Sequence, residues 1–238
     1  MSGSFSDKVA LVTGGTGGLG RAVTLAFLHE GASVIASYIK KEEADALRDA
    51  VGPHAHLELL PLDATNEAEC RSFIDGITAR YGRLDILVNT IGGYAAGKPM
   101  WETDAKTFQL MLTLNLQAGQ NLAKAVVPAM LQRKSGAIVN IASKAALDHA
   151  VGAAAYATSK AAALALFDCL ALDLKGSGVR VNSVLPSIID TEPNRKAMPD
   201  ADFSKWPKPE EIARVILFLC SDDAKVVHGA AVPVYGES

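Results

Sequence analysis

The sequence predicts an α/β fold, a doubly wound parallel sheet of about seven strands with helices on both faces. Short apolar runs alternate along the chain with longer stretches of helical periodicity, a pattern typical of successive βαβ units. The apolar runs are almost continuous and do not alternate with polar residues, as expected for strands that are covered on both faces. We find no repeat, low-complexity tract or linker that divides the chain, so we expect a single domain over residues 1–238.

The elements follow in order from these runs and the segments that bound them. Strands are predicted over residues 8–13, 33–38, 56–60, 84–89, 137–142, 179–185 and 231–234. Helices are predicted where apolar residues recur at helical spacing. They cover residues 19–30, 41–51, 66–81, most of 102–132, 154–175 and 210–220.

Residues 187–209 form the longest irregular stretch, which is polar and contains four prolines. It follows a strand end on the side where parallel sheets bind ligands. Because a loop of this length is uncommon without a function, we interpret it as a substrate lid. A purely structural excursion is the alternative.

The composition narrows the class of protein. A formal net charge of −3 gives no sign of a nucleic-acid or membrane partner. The cysteines Cys70, Cys169 and Cys220 are far apart, which predicts neither disulfides nor a metal site. No signal peptide and no apolar run of the roughly 18 residues that span a membrane are evident. We expect a cytoplasmic protein.

The segment between the first strand and the first helix is rich in glycine. It reads Thr-Gly-Gly-Thr-Gly-Gly-Leu-Gly over residues 13–20. Glycines at this point allow a tight turn and close approach of the backbone to a pyrophosphate. The helix that follows offers free N–H groups and a positive dipole end. The turn therefore predicts dinucleotide binding.

This turn and several later motifs resemble the short-chain dehydrogenase/reductase family. Asn-Thr-Ile-Gly-Gly at 89–93 stands where the family has Asn-Asn-Ala-Gly, and Pro-Ser-Ile-Ile-Asp-Thr at 186–191 resembles its Pro-Gly-x-x-x-Thr segment. Ser143, Tyr156 and Lys160 have the family's spacing. The resemblance covers essentially the whole chain and implies a Rossmann-type domain with NAD(P)-dependent oxidoreductase activity.

The resemblance also implies a set of cofactor contacts, with Asp63 holding the adenine amino group. The implied cofactor-binding residues are Gly14, Thr16, Gly17, Gly18, Leu19, Gly20, Ser37, Asp63, Ala64, Asn89, Gly92, Tyr156, Lys160, Pro186, Ile189 and Thr191.

The implied catalytic residues are Asn115, Ser143, Tyr156 and Lys160. Tyr156 and Lys160 are four residues apart on a predicted helix and so share one face. We expect the Lys160 ammonium to lower the pKa of the Tyr156 phenol, which then exchanges a proton with the substrate oxygen. Ser143 would hydrogen-bond the same oxygen. By resemblance, Asn115 anchors a water that relays protons to Lys160.

The end of the second strand bears on the choice of nucleotide. NAD-binding domains usually carry an acidic residue there, but residues 36–41 contain no carboxylate. Ser37, Lys40 or Lys41 could receive a 2′-phosphate, so we favour NADP(H) over NAD(H). Gly17 points the other way, since many NADP-dependent relatives have arginine there. The lysines could also simply begin a solvated helix.

The substrate is less clearly indicated. Residues 194–206 resemble the matching stretch of dihydropteridine reductases, which implies hydride transfer to a carbonyl or a quinonoid pterin. A 3-oxoacyl thioester or other carbonyl reductase is the alternative, and a non-catalytic NAD(P)-binding sensor or scaffold is a third. Tyr94, Phe203 and Trp206 could form an aromatic lid over the substrate, or merely pack the loop.

The predicted helix over 154–174 is apolar almost all round and rich in alanine. Such a helix needs burial on more than one side, which a partner subunit could supply. We expect a homodimer or homotetramer that acts on a small molecule.

Overall fold

The computed structural model describes residues 5–53 and 56–238. Its centre is a seven-stranded sheet in the order β3-β2-β1-β4-β5-β6-β7, and all neighbouring strands are parallel. The strands are β1 Val9–Thr13, β2 Ser33–Tyr38, β3 Leu57–Pro61, β4 Ile86–Asn89, β5 Gly136–Ile141, β6 Val179–Pro186 and β7 Ala231–Val234. The predicted doubly wound Rossmann-type sheet is confirmed.

Helices connect the strands and cover both faces of the sheet. They are α1 Gly18–His29, α2 Lys41–Val51, α3 Glu67–Tyr81, α4 Ala105–Leu112, α5 Ala118–Arg133, α6 Ala154–Asp173, α7 Glu192–Ala197 and α8 Pro209–Cys220. Asn66 caps α3 by accepting hydrogen bonds from the N–H groups of Ala68 and Glu69, which is the usual role of asparagine at this position.

The sheet separates two apolar layers. In β1, Ala10 and Val12 pack into the cluster that includes residues of α1 and α8, whereas Val9 and Leu11 pack into the cluster that includes residues of α3, α5 and α6. Successive side chains of a strand point to opposite faces. Both faces being buried explains why the strands are continuous apolar runs.

Two segments differ from the expected pattern. The single long helix predicted over 102–132 is divided into α4 and α5 by a wider, π-helical turn over Thr113–Gln117. Residues 187–209, expected to be irregular, contain the short helix α7. Its cap, Thr191, accepts a hydrogen bond from the N–H of Asn194, and Pro193 lies in the first turn, where proline is tolerated.

α6 has the length and apolar composition of a helix that could cross a membrane. Its buried residues include Phe167 and Ala171, which belong to the core cluster beneath α3 and α5. A helix in the core of a protein can have the same length and composition. The burial of these residues explains why α6 is apolar.

The strand order reverses at β1, which lies between β2 and β4. Ligands of open parallel sheets bind outside the carboxyl ends of the strands at this reversal. The glycine-rich turn follows β1, and the 89–93 segment follows β4. The fold therefore brings the predicted site residues to one edge of the sheet.

Candidate active site

The glycine-rich turn is closely packed at Gly20 and open at Gly17. Gly14 has a φ of +67°, which favours glycine, and a β-carbon at Gly20 would collide with the carbonyl of Gly14. At Gly17, by contrast, the nearest atom to an added β-carbon would be the Gly14 oxygen at 3.6 Å. The backbone of the turn is thus accessible where a ligand would approach.

The start of α1 fits a pyrophosphate. Gly17 provides no side-chain cap for the helix, so the N–H groups of the first turn lack the partner that a cap residue gives. These N–H groups and the positive end of the helix dipole form an anion-binding site. The residues present therefore fit the phosphates of a dinucleotide.

Ser37 supports the turn from inside. It is buried, and its Oγ accepts a hydrogen bond from the Gly14 N–H at 3.1 Å. The expectation that Ser37 could receive a 2′-phosphate is therefore replaced by a role in holding the glycine turn. Lys40 and Lys41 are exposed and form ion pairs with Glu43 and Asp45, both at 3.1 Å.

Asp63 and Ala64 follow β3, as expected for the adenine end of the site. One oxygen of Asp63, Oδ1, accepts hydrogen bonds from the N–H and the hydroxyl of Thr65. Both of these bonds use Oδ1 and the side chain is exposed, so Oδ2 is available to a ligand. The Ala64 carbonyl accepts a hydrogen bond from Asn121 Nδ2 at 3.0 Å.

Asn89 braces the segment after β4. Its Oδ1 accepts hydrogen bonds from the Thr13 hydroxyl at 3.1 Å and the Ile91 N–H at 3.4 Å. Its Nδ2 donates to Asn140 Oδ1 at 3.1 Å. Asn89 thus joins β1, β4 and β5 and fixes the path of the chain towards Gly92.

Gly92 lies between two of the predicted catalytic residues. A β-carbon there would lie 2.7 Å from Asn115 Oδ1 and 3.1 Å from Lys160 Nζ. A side chain at this position would displace one of them, so glycine keeps the two residues in place.

Asn115 lies in the π-helical turn, and its side chain is fully engaged. Its Oδ1 accepts from the Gly93 N–H at 2.9 Å, and its Nδ2 donates to the Gly93 carbonyl at 3.0 Å and to Ser159 Oγ at 2.9 Å. Ser159 in turn donates to the carbonyl of Tyr156. Asn115 therefore links the 89–93 segment to the helix that carries Tyr156.

Ser143 and Tyr156 meet at the site. Ser143 follows β5, is 8% exposed, and accepts a hydrogen bond from the Ala145 N–H at 3.1 Å. Burial raises the pKa of Tyr156, while a hydrogen bond with the Ser143 side chain lowers it to a smaller extent. Tyr94 packs edge-on against Tyr156, with 4.8 Å between ring centroids. The phenol therefore remains protonated at neutral pH.

Lys160 is buried in the same site, where Nζ donates to the Ile141 carbonyl at 2.9 Å. Burial lowers the pKa of Lys160 to about 8. The expectation that Lys160 lowers the pKa of Tyr156 is wrong for this structure, in which that pKa is raised. Although the two share a helix face, the lysine extends to the end of β5, and burial dominates at the phenol.

The segment over 187–209, predicted as a lid, contacts the glycine turn. A β-carbon on Gly18 would lie 3.0 Å from Thr191 Cγ2, and Asn194 Nδ2 donates to the Ile189 carbonyl at 2.8 Å. Arg195 pairs with Asp190, with 2.7 Å between Nη2 and Oδ2. The first contact places Thr191 beside the predicted phosphate site, and the other two hold the neighbouring residues, Ile189 among them, in the same segment.

The three aromatic residues assigned to the lid differ in position. Trp206 is 6% exposed and packs on Phe203, with 4.9 Å between ring centroids. Arg195 lies over the Phe203 ring at 5.0 Å. This pair packs the loop, which was the alternative interpretation. Tyr94, 72% exposed, is the one that contacts Tyr156.

Three contributors were not singled out from the sequence. Ser159 and Asn140 hold Asn115 and Asn89, and Glu43 contacts the glycine turn through Thr16. A polar residue inside an apolar strand, such as Asn140, is the signal that could have been used. Glu43 gave no signal, since it resembles any charged residue on a helix surface.

Comparison with known proteins agrees with this geometry. The family model for short chain dehydrogenases matches residues 8–202. The 3-oxoacyl-(acyl-carrier-protein) reductase of Thermotoga maritima is 33% identical, with 98% of each chain covered. Cyclopentanol dehydrogenase of Comamonas sp. is 36% identical, also with 98% of each chain covered. The structure of ElxO with NADP bound superposes with a TM-score of 0.90 at 27% identity, covering 96% of this chain and 97% of that one. The chain therefore belongs to the short-chain dehydrogenase/reductase family of oxidoreductases.

Proposed function

We propose that the protein is an NADP(H)-preferring reductase of small carbonyl compounds, with Tyr156 as general acid in reduction and general base in the reverse reaction. The observation that carries the proposal is the half-buried Tyr156 side chain at the carboxyl edge of the sheet, where its phenol is hydrogen-bonded to Ser143 and burial raises its pKa. A group in that state can give its proton to a developing alkoxide.

The other residues have supporting roles in this proposal. Ser143 donates a hydrogen bond to the carbonyl oxygen and stabilises charge that develops there. Lys160, which bonds to the Ile141 carbonyl, would hold the nicotinamide ribose of a bound nucleotide, and Asn115 positions Gly92, Gly93 and α6. Bound NADPH supplies the hydride.

The relatives bear on the substrate class. They are named as a 3-oxoacyl-(acyl-carrier-protein) reductase and a cyclopentanol dehydrogenase, which favours a 3-oxoacyl thioester or another ketone over a quinonoid pterin. The resemblance of residues 194–206 to dihydropteridine reductases receives no support from them. Burial of Trp206 inside the loop also removes one of the aromatic surfaces on which a flat pterin would stack.

Three observations support the preference for NADP(H). No carboxylate occurs at the end of β2, and Lys40 and Lys41 are exposed beside it. A similar structure, that of ElxO, contains NADP.

We further propose a single catalytic domain over residues 1–238 with residues 187–209 as substrate lid. A homodimer or homotetramer and a cytoplasmic location complete the proposal. The apolar surface of α6, where Leu172 is 73% exposed, supports association between subunits.

The test is a substrate panel with both nucleotides. We would follow NADPH and NADH oxidation with acetoacetyl thioester, cyclopentanone and quinonoid dihydropterin. Tyr156→Phe should lower turnover of the true substrate by about a hundredfold or more, while Tyr81→Phe, which removes a phenol hydroxyl bonded to Glu58, serves as the control.

The outcomes of the panel distinguish a ketone reductase, a pterin reductase and a non-catalytic protein. Turnover of ketones but not of pterin supports the proposal, and pterin turnover alone would replace it. Nucleotide binding without any Tyr156-dependent turnover would favour a non-catalytic sensor or scaffold.

A further inference from the structure

The connection between β2 and α2 presents an ion pair to the glycine turn. Glu43 lies in the first turn of α2. Its Oε2 accepts a hydrogen bond from the Thr16 hydroxyl at 3.2 Å, and its Oε1 accepts one from Lys40 Nζ at 3.1 Å. Thr16 is nearly buried, whereas the side chains of Lys40 and Glu43 are 71% and 40% exposed. One carboxylate therefore joins the predicted phosphate turn to the lysine beside it.

The ion pair between Lys40 and Glu43 lies beside the expected position of the adenosine ribose. β1 and β2 are adjacent and parallel, and the N–H groups of Gly14 and Gly15 both donate to Ser37 at the end of β2. In dinucleotide-binding sheets, the adenosine ribose lies beside the end of this second strand. Glu43 reaches that place from α2, although the strand end itself has Tyr38 and no acidic residue.

We propose that Glu43 is a determinant of nucleotide specificity that opposes Lys40. Lys40 attracts the 2′-phosphate of NADPH, while Glu43 accepts a hydrogen bond from a ribose hydroxyl of NADH and repels the phosphate. The preference for NADPH is therefore smaller than Lys40 alone would give. This inference rests on the nucleotide site of the proposed function, but not on the identity of the substrate.

The strengths of the interactions allow Lys40 to leave Glu43 and bind the 2′-phosphate instead. An exposed Lys–Glu pair contributes little to stability, so Lys40 leaves Glu43 readily. A lysine–phosphate contact is charge-assisted and stronger. Glu43 remains in place when Lys40 leaves, because the Thr16 hydroxyl and the positive end of α2 both stabilise its carboxylate. A carboxylate then faces the 2′-phosphate, and like charges about 4 Å apart at an exposed site change affinity roughly fivefold.

The experiment measures nucleotide binding without substrate. Kd values for NADPH and NADH would be determined by titration calorimetry for the wild type, Glu43→Gln and Lys40→Gln. We expect Glu43→Gln to bind NADPH about fivefold more tightly and NADH more weakly. Lys40→Gln should weaken NADPH binding and leave NADH binding nearly unchanged. High salt should reduce both effects on NADPH.

Glu42→Gln is the matched control. Glu42 is the neighbouring residue in the first turn of α2, and its substitution changes the net charge and the helix terminus in the same way. Among the described residues, it has no hydrogen bond with the glycine turn. Its ratio of NADPH to NADH affinity should match that of the wild type.

The outcomes are distinct. An unchanged affinity ratio in Glu43→Gln, or an equal change in Glu42→Gln, overturns the role of Glu43 and leaves the proposed function intact. A wild-type protein that binds neither nucleotide overturns both. Binding that shifts as expected, without turnover of any substrate, supports Glu43 while the proposed reductase activity fails.

Discussion

Lys160 combines burial with a charge that the proposed chemistry requires. Its Nζ donates a hydrogen bond to the Ile141 carbonyl, and burial lowers its pKa to about 8 from the ordinary lysine value of 10.5. Because the folded protein holds this proton less tightly than the unfolded chain, the buried charge costs up to about 3 kcal/mol below pH 8. That cost is lost as pH rises from about 8 to 10.5, so this group makes stability increase with pH across the window.

Lys160→Met should therefore stabilise the nucleotide-free protein. We expect the free energy of unfolding at neutral pH to increase by about 1–2 kcal/mol, since the lost hydrogen bond to Ile141 offsets part of the gain. The advantage should shrink towards pH 10.5, and turnover should be lost. Urea denaturation at several pH values measures this. A variant that is less stable than the wild type at neutral pH would contradict the buried-charge argument.

Gly92 offers a test of the packing between Asn115 and Lys160. Gly92→Ala places a β-carbon 2.7 Å from Asn115 Oδ1 and 3.1 Å from Lys160 Nζ, so we expect kcat to fall at least about tenfold because the misplaced groups position the reaction. Steady-state kinetics and thermal unfolding report this together.

Gly76→Ala is the control for Gly92→Ala. Gly76 lies inside α3, where an added β-carbon meets nothing within 4 Å. Alanine there should stabilise the protein by about 0.5–1 kcal/mol and leave kcat unchanged. Equal activity of the two variants would show that Gly92 is not constrained by the site.

The proposed lid, residues 187–209, differs from an ordinary long loop because it is anchored at several points. Ser187 stands where the family motif has glycine, and its hydroxyl donates to the Tyr235 carbonyl at 2.7 Å. Ser238 donates to Ser187 Oγ at 2.7 Å, and the Asp190 N–H donates to the Pro207 carbonyl at 3.0 Å. These bonds tie both ends of the lid to each other and to the segment after β7.

Ser187→Ala should loosen this anchor. Loss of one hydroxyl bond costs about 1 kcal/mol, so we expect faster hydrogen exchange over residues 187–209 and a higher KM with a nearly unchanged kcat. Ser187→Gly, which also adds backbone freedom, should show a larger increase in exchange. Identical exchange in both variants and the wild type would mean that the hydroxyl does not anchor the lid.

At the level of the complete protein, several large apolar side chains remain exposed on the helices. Leu110 on α4, Leu172 on α6 and Phe218 on α8 are 52%, 73% and 49% exposed. Closed symmetric assemblies bury exposed apolar side chains of this kind at their subunit interfaces. This supports the homodimer or homotetramer expected from the sequence.

Leu172→Glu should reduce the size of the assembly. A charge placed in an apolar interface is costly unless it is paired, so light scattering should show a smaller species than for the wild type. Ser72→Glu on α3 adds the same charge at an exposed site and should leave the mass unchanged. A monomeric wild type at micromolar concentration would contradict the assembly.

Much of the fold was determined by the sequence alone because it depends on local pattern. Apolar runs and helical periodicity located all seven strands within about two residues of their ends, since burial on two faces leaves a continuous apolar signature. The turn at 13–20 and the spacing of Ser143, Tyr156 and Lys160 are also local signals, and they identified the family.

Tertiary structure decided the features that depend on contacts between distant residues. Lys160 bonds to Ile141 and not to the neighbouring phenol, Glu43 reaches Thr16 across 27 positions, and Trp206 turns into the lid. Hydrophobic periodicity predicts whether a side chain is buried, but it does not predict which polar atom that side chain contacts. The pKa of Tyr156 and the arrangement of charges around the nucleotide site depend on these contacts between distant residues. They could therefore be determined only from the tertiary structure.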